Sequence, residues 1–227
     1  MVGGRIAVNI FDIIGPVMIG PSSSHTAGAA RIGRVTRKLL SEQPCDILVR
    51  FHGSFAGTYK GHGTAKAIIA GLMDMPPDDV RIRESLAIAG GQNIKYRFES
   101  AEMKGAHPNT VLIEAAGPSG KTVRVVGSSV GGGNIVIKRI NDMEVEFTCQ
   151  FNTLVIMNTD VPGTIAAVSG LLAENGVNIA QMKVFRTRRG GEAIMIIEAD
   201  QRIEADLPGL IAELPCITDV KSIEAIG

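Results

Sequence analysis

The chain has 227 residues, 45% hydrophobic and 20% charged, the balance of a folded globular protein built as one large or two small domains. Lys+Arg and Asp+Glu are both 23, so no cationic surplus points to nucleic acid or to an anionic membrane. Aromatics are 4% with no Trp, and Cys45, Cys149 and Cys216 form no CxxC pair, which excludes a base-stacking platform, a disulfide framework and a self-contained zinc or iron–sulfur site.

No apolar run approaches the ~18 residues of a membrane span, and residues 1–8 are too short and too weakly apolar for a secretory signal. The expected compartment is a reducing cytoplasm. The zero net charge hides an asymmetry: residues 1–148 hold 17 Lys+Arg against 13 Asp+Glu, and residues 149–227 hold 6 against 10. Texture changes at the same place, so the chain divides into domains 1–149 and 150–227.

From the N-terminus, the first motif is Gly20-Pro-Ser-Ser-Ser-His-Thr26, ahead of a helix over 27–40. Ser23 or Ser24 is positioned to cap that helix, whose apolar stripe is Ala29, Ile32, Val35 and Leu39. Arg31, Arg34, Arg37 and Lys38 fall mostly off the stripe and read as a solvated face. Three hydroxyls and an imidazole at a helix N-terminus suit a bound carboxylate or phosphate. Residues 47–51 form a strand, followed by His52-Gly53-Ser54-Phe55-Ala56 and by Lys60-Gly61-His62-Gly63-Thr64, where glycines admit close approach of a small ligand. His62 then opens a helix over 64–73, so His25 and His62 occupy equivalent loops ahead of helices, a parallel that points to a shared site.

His107-Pro108-Asn109 precedes a strand over 110–116, and further strands are expected over 94–98, 122–126, 134–140 and 144–149. The glycine-rich stretch 127–133 matches neither GxGxxG nor GxxxxGK[ST], and a strand follows where those motifs need a helix. It reads as a tight turn or a backbone wall against a small substrate. No GxSxG elbow surrounds Ser22–Ser24, so a hydrolase centre is not expected.

Residues 153–158 read as an apolar strand, with Asp160 as a helix cap and Pro162 in the first helical turn. Ile165, Val168 and Leu172 recur at helical spacing up to the Asn175-Gly176 stop. Strands over 177–187 and 193–199 flank an Arg-Arg-Gly-Gly turn, a short helix covers 207–214, and a last strand covers 217–226. The order is βαββαβ, the ferredoxin-like split unit. With Asp160-x-Pro162-Gly163 after the first strand and Gly176-Val177-Asn178-Ile179 opening the second, this part resembles the ACT domain. The resemblance implies edge-to-edge pairing into a homodimer, with Asp160, Gly163, Asn178 and Ile179 at the seam, and either amino-acid sensing or assembly as its role.

Taken together, the Pro-Ser-Ser-Ser-His-Thr and Lys-Gly-His-Gly-Thr motifs, His107-Pro-Asn109 and Ser129-Val-Gly-Gly-Gly133 resemble the β chain of iron–sulfur-dependent L-serine dehydratases, across essentially the whole chain. A family-like middle motif carries Leu where Phe55 stands, a conservative departure. The resemblance implies an α+β fold whose first domain is like the allosteric substrate-binding domain of phosphoglycerate dehydrogenase. It implies deamination of L-serine to pyruvate and ammonia beside a [4Fe–4S] cluster held by a cysteine-rich α chain. His25 and His62 are then the catalytic candidates, and the α chain is a third place for the base. Ser22, Ser23, Ser24, Thr26, Ser54, Lys60, Gly63, His107 and Asn109 are the candidates for holding substrate. No metal ligand is expected on this chain, and neither nucleic acid nor a membrane is an expected partner.

Overall fold

The computed structural model describes residues 18–20, 22–59, 61 and 63–226. Its first element is a π-helical turn, Ser23–Gly28, running without a break into α1, Ala29–Leu40. Ser22 caps it, its Oγ accepting from the His25 backbone N–H at 3.2 Å, so the cap lies one residue ahead of the expected Ser23 or Ser24. His25 accordingly sits inside a helical turn and not in a loop. Ala29, Ile32, Val35 and Leu39 are buried as the stripe predicts. Arg31 is not on a solvated face: it is 6% exposed, and its guanidinium donates to Gly133 O at 2.7 Å.

The first sheet holds β1 (Asp46–Phe51), β2 (Lys95–Ser100), β3 (Thr110–Ala116), β4 (Thr122–Gly131), β5 (Asn134–Ile140) and β6 (Met143–Phe147), in the order β2-β1-β3-β4-β5-β6. Only β1 and β2 run parallel. A parallel pair needs a long crossover, and here it carries α2 (Gly53–Thr58), α3 (Thr64–Leu72), a 3₁₀ turn (Val80–Glu84) and α4 (Ser85–Gly91). The sequence reading anticipated α3 but neither α2 nor α4. Alternation in β1 buries Ile47, Val49 and Phe51, in one apolar cluster with Ile32 and Val35 of α1 and Ile68 and Leu72 of α3. The glycine-rich stretch is mostly strand, with only Gly131, Gly132 and Gly133 in the left-handed turn that leads to β5.

The second sheet holds β7 (Asn152–Thr159), β8 (Ile179–Arg186), β9 (Glu192–Ala199) and β10 (Ile217–Ile223) in the order β10-β7-β9-β8, with α5 (Thr164–Glu174) and α6 (Leu207–Ala212). This is the split βαββαβ arrangement. Leu154, Ile156, Met195 and Ile197 pack under Val168, Leu172 and Ile211, whereas Ile165, expected on that stripe, is 48% exposed. The opposite face, through Val155, Ile194, Ile196 and Ile223, lies in the same apolar cluster as Phe147 and Cys149 of the first unit. Asp160 does not cap α5. Gly163 occupies that position at φ 93°, which leaves Pro162 ahead of the helix and not in its first turn as expected, while the Asp160 carboxylate accepts from Arg186 at 2.8 Å and from the Gly190 N–H at 3.1 Å, pinning the β8–β9 hairpin. Several strand ends also differ from expectation: β4 runs on to Gly131, β6 ends at Phe147, β8 begins at Ile179 and β10 ends at Ile223. Among the described residues no helix is long and apolar enough to cross a membrane.

Candidate functional site

The π-helical turn places the His25 ring between two hydroxyls. Ser22 Oγ lies 3.2 Å from Nδ1 and Ser54 Oγ lies 3.2 Å from Nε2, while Phe55 meets the ring edge-on at a centroid distance of 5.2 Å. A neutral imidazole donates from one ring nitrogen and accepts at the other, so two hydroxyls, each able to do either, hold it in whichever tautomer a reaction needs. π-turns inside helices recur at functional sites because the extra residue re-aims a side chain. Ser54 reaches His25 because β1 ends at Phe51 and the chain turns at once into α2. Gly53 makes that turn at φ 56°, where a Cβ would lie 2.6 Å from Pro108 O. The His-Pro-Asn motif is thus packed directly onto the start of α2, and Phe55 N donates to Pro108 O at 3.4 Å.

Of the expected site residues, Ser22, His25 and Ser54 form one hydrogen-bonded group. Ser23 and Ser24 are half-buried members of the same turn. Thr26 is 2% exposed with no partner for its Oγ1 among the described residues, and together with Gly20 and Gly63 it lines a cleft of about 340 Å³. Asn109 lies behind the turn: its carbonyl accepts from Ser129 N at 2.9 Å, and its buried Oδ1 has no partner among the described residues. His107 is exposed and turned onto its own loop, its Nδ1 accepting from Asn109 N at 3.1 Å. Lys60 and His62 lie outside the described residues. In the second unit Asp160 and Gly163 share one loop, but Asn178 and Ile179 stand at the start of β8, opposite the Arg186 end that Asp160 holds. The Gly190 N–H, then Arg186, keeps the Asp160 carboxyl below the usual range.

Sequence reading missed Ser129 as a part of this site. Its Oγ is buried without a partner among the described residues and lies against Gly28, where a Cβ would come within 2.1 Å. The signal was present, since a Gly in a helix marks close approach and Ser129 opens one of the quoted motifs, but the contact joins residues a hundred positions apart. For an iron–sulfur cluster the donor set does not fit: Cys149 is buried, Cys45 and Cys216 are exposed, and among the described residues no three His, Cys, Asp or Glu are grouped to hold a metal ion.

The family model for the serine dehydratase beta chain matches residues 9–140, and that for the ACT domain matches residues 152–214. The chain is 44% identical over 215 residues to the probable L-serine dehydratase beta chain of Bacillus subtilis, covering 95% of this chain and 97% of that one. It is 34% identical to the L-serine dehydratase beta chain of Peptoniphilus asaccharolyticus, covering 94% and 97%. A 26% identical match to D-3-phosphoglycerate dehydrogenase of Bacillus subtilis covers 86% of this chain and 37% of that protein, in line with the fold relation expected from the motifs. The π-turn motif and the split βαββαβ unit therefore sit in a chain that belongs to the serine dehydratase beta chain family.

Proposed function

We propose that the chain is the β subunit of an L-serine ammonia-lyase and lines half of the substrate site, the other half coming from a cysteine-rich α chain. The observation that carries this reading is the His25 imidazole held between Ser22 and Ser54 at the mouth of a helix. Deamination removes the α-proton and the β-hydroxyl of L-serine, giving aminoacrylate and water; tautomerisation to the imine and hydrolysis then give pyruvate and ammonia. A [4Fe–4S] cluster, which the cysteines of the α chain would hold, would supply Lewis-acid chemistry at the substrate hydroxyl. On this chain, His25 is placed to accept or return a proton, and Ser22 and Ser54 fix its ring, because general acid–base transfer needs a positioned group that titrates near neutrality. His62 shares that candidacy, and Lys60, Ser23, Ser24, Thr26, Gly63, His107 and Asn109 are proposed to contact substrate.

The domain division at residue 149 belongs to the same reading, β6 ending at Phe147 and β7 beginning at Asn152. So does a homodimer through the ACT domain, whose sheet has β8 and β10 at its edges, with Asp160, Gly163, Asn178 and Ile179 proposed at its seam. A cytoplasmic location suits an oxygen-sensitive cluster. The test is co-purification with the α chain under anaerobic conditions and assay of pyruvate from L-serine. The reading expects neither chain to work alone and His25→Ala to abolish turnover. Full activity of the α chain by itself would replace it with a non-catalytic ACT regulator.

A further inference from the structure

The 340 Å³ cleft beside the π-turn has a second wall that neither the motifs nor the His25 cluster accounts for. Lys66, on the first turn of α3, and Arg83, in the 3₁₀ turn, both line it opposite Gly20 and Thr26. Both side chains are exposed, and neither forms an ion pair with another described residue. Their backbones are fixed relative to each other, because the buried Ser85 hydroxyl donates to Lys66 O at 2.7 Å and ties the end of the 3₁₀ turn to α3. Both therefore add positive charge to the rim of the cleft.

The floor carries matching chemistry. Thr26 is almost fully buried and its Oγ1 has no hydrogen-bond partner among the described residues, a state that native proteins rarely leave uncompensated. A Cβ on Gly20 would lie 2.3 Å from that oxygen, so only a glycine backbone can pack this closely against the hydroxyl. The nine-residue α3 starts at the same place with Gly63 at φ 77° as its N-cap; no described side chain caps its first turn, where the Ala65 N–H donates to Tyr59 O at 3.5 Å. A helix start left without a side-chain cap favours an oxyanion through its N–H groups and its dipole.

We infer that this cleft is an oxyanion subsite, with Lys66 and Arg83 as its charge partners and the Thr26 hydroxyl as a donor, and that it takes the carboxylate of the amino acid substrate. The identity of the anion rests on the proposed function. The subsite itself rests on the two cations, the buried hydroxyl and the uncapped helix.

The experiment is an NMR titration of the ¹⁵N-labelled full chain with L-serine, L-serinamide and inorganic phosphate, comparing the wild type with a Lys66→Gln/Arg83→Gln variant. Both substitutions are at exposed positions, and an unchanged Tm verifies that the variant folds. L-Serine is expected to shift the amides of Ala65, Lys66 and Arg83, the variant to bind it about tenfold more weakly, and L-serinamide, lacking the carboxylate, to produce no such shift in either protein. Shifts from phosphate alone would overturn the carboxylate assignment, and no shift with any probe, or equal affinity in the variant, would overturn the subsite. Serine turnover by the assembled complex is scored separately. An active complex without cleft shifts sinks the subsite and leaves the proposed function standing, whereas cleft shifts with an inactive complex do the reverse.

Discussion

Ser22 and Ser54 each touch one nitrogen of His25, but only Ser22 also holds the backbone N–H that starts the π-turn. The two hydroxyls can therefore be separated by what their loss does. Ser22→Ala removes a cap as well as a ring partner, and is expected to cost about 1 kcal/mol of stability in urea unfolding together with a drop in activity of the complex. Ser54→Ala leaves the cap intact. It should lower kcat, move the pH profile of turnover and hold the urea midpoint near that of the wild type; an unchanged profile would remove Ser54 from the proton-transfer group. Gly28 is the other residue on which this turn depends. Gly28→Ala pushes a Cβ into Ser129 Oγ and Cβ, two atoms with no room to swing aside, and overpacking of this kind typically costs about 1–3 kcal/mol.

Helices α1 and α3 cross with their backbones almost touching. A Cβ on Gly71 would lie 2.1 Å from Ala30 O, and one on Gly33 would lie 2.4 Å from Ile68 O. Just beyond α3, Asp74 accepts from Lys38 at 2.7 Å and Arg34 at 3.3 Å, closing the same crossing with charge. Burial pushes the Asp74 carboxyl up, but Lys38 and Arg34 outweigh it and hold the group below its ordinary 3.8. A depressed carboxyl stabilises the fold above its unfolded value, and that contribution disappears as pH falls through the lower folded value. Lys38→Met is thus expected to cost a few tenths of a kcal/mol at pH 7, and the difference from wild type should shrink below about pH 4, as read by thermal melts across pH 2–7.

This crossing was only half visible in the sequence. The stripe on α1 and the alternation in β1 could be read directly, because periodicity along the chain is what buries one face. The serine and histidine motifs also marked the corner where Ser22, His25 and Ser54 meet. Three things depended on distant partners and could not be read locally. Arg31 is buried because Gly133 O arrives 102 residues later to accept a hydrogen bond from its guanidinium. Asp160 abandons the cap position because Arg186 and Gly190 compete for its carboxylate. The π-turn exists because Ser22 caps early and Gly28 must pass Ser129, a fit that no helical spacing encodes.

At the scale of the whole molecule, the two sheets are not independent. Val155, Ile194, Ile196 and Ile223 of the second are buried with Phe147 and Cys149 of the first, and Ile226 N donates to Cys149 O across the junction at 3.1 Å. Cys149 therefore reports on that junction. Burial, reinforced by the nearby Glu198 charge, pushes its thiol well above the ordinary 9.0, although Thr153 pulls the other way. Cys45 and Cys216 are exposed. A thiol reagent should label two cysteines at once in the native protein and the third only as the sheets part, since the thiolate is the reactive form and this one is both neutral and covered. The same burial sets an alkaline limit. Above pH 9 the unfolded chain releases the Cys149 proton and the folded chain keeps it, so stability falls by up to about 1.4 kcal/mol per pH unit until the folded thiol titrates. Cys149→Ala should flatten that decline between pH 9 and 10.5 in urea melts, at the cost of some stability at pH 7. If the decline persists unchanged in the variant, or if all three thiols label together in the native state, the two sheets are separable units and the shared core does not hold them in one cooperative transition.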